Sequence, residues 1–375
     1  MGWLSSWQYR KSHEIQGSSA GAQTNYQVKI VVHKGSGTDS GEHVYCNNHC
    51  RDDFGDIRFT KSDGETLLDY WLESYTSGDK ATFWVEVDSI PASPDKATIY
   101  IYYGKSDATT TSNGEATFVR FDDAEVNRLP DWATRSDSPT FTRETDYVKY
   151  GSYALKMTTS QGSGVAVKTN DESIGDGYEI RAWVLVRSTG GDKAAGLIFW
   201  ADSNNFIRIN MWRYGGKITC AVKDEGAYDR TDYERTFSAD TWYFMKLSIY
   251  NGTAKFHWNG EDFPTKTYTP ANFANAYAGI WNYAGGAGDD YDYFDHWFVR
   301  KYVDPEPSHG SWGNEEQSGA TEVAITDSAT GIEALSRLYR GLSLTDITTG
   351  QESFSRPYRQ LQIPEQASSL ELLLK

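Results

Sequence analysis

A chain of 375 residues has room for two domains with material to spare. Its formal net charge of −16 leaves no basic excess to displace counterions from a phosphate backbone, so nucleic acid is excluded as a partner, and no apolar run approaches a membrane span. Three cysteines (Cys46, Cys50, Cys220) are too few for a disulfide-stapled scaffold, whereas 34 Gly, 25 Tyr, 16 Phe and 13 Trp are the composition of all-β domains with many turns.

The N-terminal MGWLSSWQYRK has no apolar h-region, so the chain is expected to carry no secretory signal. Residues 1–105 read as one β-sandwich. Tyr26–Val32, Ala81–Val87 and Ala97–Tyr103 alternate apolar and polar residues, and Gly/Ser/Asp/Pro clusters separate them. Asp56, Arg58, Asp63, Trp71 and Glu73 are expected to form a buried ion-pair network that fixes this domain's geometry, with a binding cleft as the alternative. His43, Cys46, His49 and Cys50 have zinc-like spacing without a second ligand pair downstream, so free thiols, a local disulfide and a metal site all stay open. Residues 106–116 are polar and strandless and read as a linker.

Trp7-Gln8-Tyr9-Arg10-Lys11, Asp53–Thr60, Asp63-Gly64, Leu68–Glu73, Phe83-Trp84-Val85, Ile99–Gly104 and Ser112-Asn113-Gly114 follow one another in a specific series. In this the chain resembles a β-domain family of unknown function that opens with a W-x-Y-R-K motif. The resemblance implies a place among archaeal and bacterial surface proteins or viral structural proteins, ahead of a concanavalin A-like or laminin-G-like sandwich, and no catalytic role.

Residues 117–303 read as that second, larger sandwich. Gly177–Arg187 and Trp242–Tyr250 alternate, with Tyr178, Ile180, Ala182, Val184 and Val186, then Tyr243, Met245, Leu247 and Ile249, each on one face. Cys220 sits in a strand pattern and is expected in the core. In Phe206–Tyr214, Ile207, Ile209 and Met211 should meet the core while Phe206, Arg208, Asn210, Trp212 and Tyr214 share the opposite face. Flat rings beside amide and cationic donors are the chemistry that sugars require, so Arg208, Asn210, Trp212 and Tyr214 are candidate ligand-binding residues for a glycan or cell-surface polysaccharide; burial under a second layer is the alternative. The segment Ala278–Tyr302 joins a glycine loop, an acidic run and an aromatic strand, and adds Trp281, Tyr283 and Tyr291 as a candidate ligand rim.

Phe121-Asp122-Asp123, Gly151–Leu155 and Tyr293–Trp297 resemble a laminin-G-like or concanavalin A-like jelly roll. The resemblance implies a structural calcium ion held by Asp122, Asp123 and Asp295 with carbonyls from 149–151; turn capping by the same acids is the alternative. Asp289-Asp290-x-Asp292 departs from an EF-hand loop. The E-x-D-x-x-E pattern of concanavalin A-like glycosidases is missing from 117–303, as are G-x-S-x-G and H-E-x-x-H, so the expectation is a non-enzyme.

Residues 304–324 read as a Pro/Gly/acidic connector. Within 325–375, Thr326–Glu333 with Ser336–Arg340 recurs as Thr345–Glu352 with Ser355–Arg359. Two copies this short cannot bury a core alone, so this tail is expected to bind other structural proteins or further copies of the chain, giving a homo-oligomer. Together these features predict two jelly-roll-like β-sandwiches in tandem plus a short repeat tail. The expected role is a virion structural or adhesion protein, a tail or capsid decoration with a glycan-binding second sandwich. The alternative is a cellular surface adhesin or a carbohydrate-binding module of a secreted protein.

Overall fold

The computed structural model describes residues 2–160, 162–168, 173–187, 192–213, 215–285 and 290–319. Tyr214 and the repeat tail 325–375 lie outside the described residues. No helix among the described residues is long and apolar enough to cross a membrane.

The fold is nearly all β. The first sandwich is built from β1 (Tyr9–Gln16), β2 (Gln23–His33), β3 (His43–Tyr45), β4 (Arg58–Thr60), β5 (Tyr70–Thr76), β6 (Lys80–Ile90) and β7 (Lys96–Tyr103). One sheet has the order β3-β2-β6-β5; the other runs β1-β7-β4. The alternation read from sequence sets which side chains meet between them. Tyr26, Val28, Ile30 and Val32 of β2 lie beside Phe83, Val85 and Val87 of β6 on one sheet, and with Ile99, Ile101 and Tyr103 of β7 on the other they form one buried core. Cys46 and Cys50 lie in this core as unbridged thiols, and burial pushes Cys46 well above its usual value. His49 stacks on Tyr9 at 4.0 Å and His43 pairs with His33 at 2.9 Å, so the four residues do not converge on one point.

A single helical turn, α1 (Gly114–Thr117), capped by Asn113, ends the predicted linker. The second sandwich follows: β8 (Arg120–Asp122), β9 (Trp132–Ser136), β10 (Thr140–Glu144), β11 (Ala154–Thr159), β12 (Gly162–Lys168), β13 (Tyr178–Leu185), β14 (Lys193–Asp202), β15 (Asn205–Trp212), β16 (Lys217–Asp224), β17 (Ala227–Glu234), β18 (Trp242–Tyr250), β19 (Thr253–Trp258), β20 (Glu261–Thr267), β21 (Tyr277–Ala284) and β22 (Asp290–Lys301). An eight-stranded sheet, β10-β11-β22-β13-β18-β19-β20 with β8 beside β22, packs on a seven-stranded sheet, β17-β16-β15-β14-β21-β12-β9. Between them lie Ile180, Ala182, Val184, Met245, Leu247, Ile249, Leu197, Phe199, Ile207, Ile209, Met211 and Cys220, all fully or almost fully buried. Each large apolar side chain so buried contributes about 1.5–3 kcal/mol.

The chain then goes back to the first sandwich. β23 (Ser308–Trp312) pairs antiparallel with β1, so part of the expected connector is a strand, and the second sandwich is inserted between β7 and β23. SHGSW shows no apolar alternation because its hold is local: the Trp312 ring stacks on His13 at 3.7 Å and its Nε1 donates to Gly41 O.

The two sandwiches meet through an aromatic cluster. Trp71 and Trp84 of the first pack edge-on against Phe298 of the second, which stacks on Phe118 at 4.2 Å. The Gln27 amide bridges the sandwiches, donating to Thr117 O and accepting from Lys301 N. The expected network of Asp56, Arg58, Asp63, Trp71 and Glu73 is therefore not formed as one unit. Arg58 donates to the carbonyls of Gly55, Ile57 and Thr109; Asp56 accepts from the amides of Arg51 and Gly104; Asp63 caps a turn. Trp71 belongs to the inter-sandwich cluster, and Glu73 accepts from Trp84 Nε1.

Candidate functional site

The outer face of the seven-stranded sheet follows from strand alternation. In β15, Ile207, Ile209 and Met211 point into the core, which leaves Phe206, Arg208, Asn210 and Trp212 outside. Register then places Trp200, Ile198, Gly196 and Ala194 of β14 opposite these four in turn. On the far side of β14 come Tyr277, Gly279, Trp281 and Tyr283 of β21. Gly196 and Gly279 lie in the middle of this array. A Cβ on Gly196 would stand 1.9 Å from Ile209 O, and one on Gly279 would stand 2.1 Å from Ala166 O. Only glycine fits these approaches.

The aromatic residues form one patch. Trp200 and Phe206 stack at 5.8 Å, Trp212 and Tyr283 meet at 5.4 Å, and Trp281 packs beneath with Val165, Val167 and Ile198. The Arg208 guanidinium lies over Trp281, 4.0 Å from the ring centroid, and its Nη2 donates to Tyr228 Oη at 2.9 Å. Burial pulls Arg208 below its usual value. Trp212 Nε1 donates to Asp192 Oδ1 at 2.5 Å, and the Arg230 guanidinium sits 4.8 Å from the Trp212 ring. Burial works against ionisation of Asp232, yet Arg230 and Thr219 hold it below the usual carboxylate range.

A pocket of about 140 Å³ opens on this face, walled by Trp200, Phe206, Ile198, Val165, Trp281 and Arg208, with Ser136, Ser163 and Ser203 around it. Beside Arg208 on the same strand, Asn210 is fully buried, and neither its Oδ1 nor its Nδ2 has a hydrogen-bond partner. An orphaned buried amide costs about 1–3 kcal/mol, and such groups in a folded protein call for a reason.

Five predicted ligand residues, Arg208, Asn210, Trp212, Trp281 and Tyr283, thus share one sheet face. Tyr291 does not join them. β21 and β22 are consecutive but belong to opposite sheets, so Tyr291 lies in the eight-stranded sheet, packed near Tyr293 and Leu185 with Lys156 4.4 Å above its ring. Sequence reasoning missed Trp200, Asp192 and Tyr228. The run Lys193–Asp202 is apolar on both faces, so alternation alone does not assign Trp200 to a side; pairing β14 with β15 does.

The three acids expected to hold calcium are engaged by protein donors. Asp122 Oδ2 accepts from Trp132 Nε1 at 2.7 Å and Lys168 Nζ at 3.1 Å, while its Oδ1 accepts from Ala124 N. Asp123 caps Glu125 N. Asp295 accepts from the amides of Lys149, Tyr150 and His296, so the 149–150 segment turns N–H groups toward it where carbonyls were expected. Among the described residues, no three His, Cys, Asp or Glu side chains are grouped as a metal would need.

A family model described as a domain of unknown function, DUF2341, matches residues 53–135, which includes most of the first sandwich's motif series and the start of the second. None of the curated proteins matches the chain in sequence. Among solved structures, the carbohydrate-binding module CBM66 from Bacillus subtilis is 14% identical at a TM-score of 0.36, covering 46% of this chain and 96% of its own. A glycoside hydrolase family 16 endo-glucanase from Bacteroides ovatus is 12% identical at 0.36, covering 48% and 99%. The Caenorhabditis elegans galectin LEC-6 is 12% identical at 0.26, covering 44% and 96%. At this level of likeness neither ligand nor chemistry carries over.

Proposed function

We propose that this chain is a non-catalytic saccharide-binding protein whose binding surface is the outer face of the seven-stranded sheet. The observation that carries the reading is the convergence there of stacked rings, a pocket, and the Arg208 guanidinium in its wall with unused hydrogen-bonding capacity. Sugar rings offer C–H faces to aromatic planes and hydroxyls to amide, guanidinium and hydroxyl partners. The carboxylates near this face are already committed. Asp192 receives Trp212, Asp202 receives Asn204 and Asn205, and Asp232 receives Arg230 and Thr219, which supports binding over hydrolysis. A glycan array tests the reading: the full chain binds a defined subset of glycans, and Trp212→Ala loses most of that signal. An array on which the parent binds nothing would defeat it.

The setting follows the same logic. A displayed structural or adhesion protein, as a virion decoration or a cell-surface adhesin, needs a rigid stalk-like attachment for a binding domain. The aromatic junction and the return of β23 to β1, which join the two sandwiches at two places, are consistent with such an attachment. Immunogold labelling of particles and of cells with one antibody separates the two settings.

A further inference from the structure

The outer face of the seven-stranded sheet carries cations that have no carboxylate in direct contact, although Asp232 lies near enough to Arg208 to act on it through space. Arg208 is 8% exposed, its described hydrogen bond goes to a neutral tyrosine hydroxyl, and its Nε is shielded from water with no acceptor. A buried cation without an anion is costly, and a protein this acidic has carboxylates to spare. The same sandwich uses them elsewhere, where Lys168 meets Asp122 at 3.1 Å and Arg300 meets Glu179 at 2.7 Å, and on this face Arg230 meets Asp232 at 2.8 Å. Two further cations flank the pocket, Arg135 over Tyr277 at 4.6 Å and Lys223 over Phe206 at 5.9 Å. Lys223 Nζ donates to the carbonyl of Ser203. Among the described residues neither of them, nor Arg208, makes an ion pair. Two carboxylates lie close in the chain to pocket residues, and both are occupied: Asp137 accepts from Ser163 N, and Asp202 from Asn204 and Asn205.

We propose that the pocket takes an acidic saccharide, whose carboxylate or sulfate ester supplies the anion that Arg208 lacks while the sugar ring lies against Trp200 and Phe206. The guanidinium is a planar fork held over Trp281, the geometry that suits a two-oxygen anion. Ser136, Ser163 and Ser203 line the remainder with groups that match sugar hydroxyls. This assignment rests on the saccharide reading and gives it a ligand class.

Calorimetric titration of the full chain against matched pairs tests it. The acidic members are oligomers of galacturonate, glucuronate and mannuronate, sialyllactose, and a sulfated oligosaccharide. The neutral members are the same sugars with carboxyls reduced to alcohols, asialo-lactose, and the desulfated form. At least one acidic member binds about tenfold or more tightly than its neutral partner, a preference that shrinks as salt is raised. Whether the carboxylate or the sulfate arm responds identifies the anion. Arg208→Gln abolishes the preference, and Lys255→Gln, a cation of the eight-stranded sheet paired with Asp304, keeps it; the salt dependence of the parent stands independently should the Arg208 variant fold poorly. Equal binding of acidic and neutral partners, or preference for the neutral ones, overturns the acidic assignment and leaves the saccharide reading in place. No binding to any member of any pair overturns both.

Discussion

Arg300 Nε donates to Glu179 Oε1 at 2.7 Å with both side chains only 2% exposed, and the other edge of the same guanidinium is held by both oxygens of Glu306 at 2.6 and 2.8 Å. Burial opposes ionisation of Glu179, but Arg181, Arg300 and Lys246 hold its carboxyl below the usual range. Glu306 also accepts from Tyr26 of the first sandwich, so Arg300 ties both sandwiches and the returning chain. Arg300→Met leaves the buried Glu179 carboxylate with Arg181 as its remaining ion-pair partner and is expected to cost about 3–5 kcal/mol by urea denaturation. Adding Glu179→Leu to Arg300→Met recovers only part of the loss, because Arg181 then loses its carboxylate.

The joint between β1 and β23 makes stability depend on pH. His13 Nε2 lies 2.8 Å from His309 Nδ1, and burial, helped by His309, pushes His13 down to about 3. Burial also lowers His296 to about 3. Both groups take up a proton on unfolding, so their contribution is complete above about pH 6.5 and is lost as pH falls toward 3. Asp295 has the opposite sign: burial pushes it up to about 7 against three backbone N–H bonds, so its contribution is lost as pH rises through 7. A melting-temperature scan is expected to fall on the acid side of pH 6.5, with a shallower slope in His13→Phe, which keeps the stack on Trp312. Parallel scans for the two proteins would contradict this.

Close strand approach on the outer face of the seven-stranded sheet is a separate commitment. Gly196→Ala places a methyl against Ile209 O and Asn210 Cβ, both on the paired strand. The expected loss is about 1–3 kcal/mol in urea, together with weaker glycan binding as β15 shifts.

Chelation is expected to leave the melting temperature unchanged within a degree or so. Lys168 neutralises Asp122 while Trp132 donates to it, and three backbone amides donate to Asp295, so a calcium ion would have to displace these donors. A melting temperature that drops in EDTA and recovers with Ca2+ would contradict the arrangement.

Strands were legible where one face meets the core and the other does not. The alternations at Tyr26–Val32, Tyr178–Val186 and Ile207–Met211 all correspond to buried stripes. The face carrying Arg208, Asn210 and Trp212 was legible for the same reason. What depended on pairing between distant strands was not: β23 pairs with β1 across nearly the whole chain, and Trp71, Trp84 and Phe298 meet only once the sandwiches dock. Tyr291 illustrates the limit, since eight residues after Tyr283 the chain has crossed to the other sheet. Asp295 illustrates another: an acid near first and last strands has the same spacing whether its neighbours offer carbonyls or amides.

Saccharide binding by one defined sheet face is the central claim, and a calorimetric comparison of the parent with Trp200→Ala and Trp183→Ala on the tightest array glycan tests it most directly. Trp200 walls the pocket of the seven-stranded sheet, whereas Trp183 lies on the eight-stranded sheet beside Lys149 and Phe244. Affinity is expected to fall about tenfold or more in Trp200→Ala, as for a central aromatic contact, and to stay at the parent value in Trp183→Ala. Unchanged affinity in Trp200→Ala, or a loss confined to Trp183→Ala, would contradict the assignment of this face.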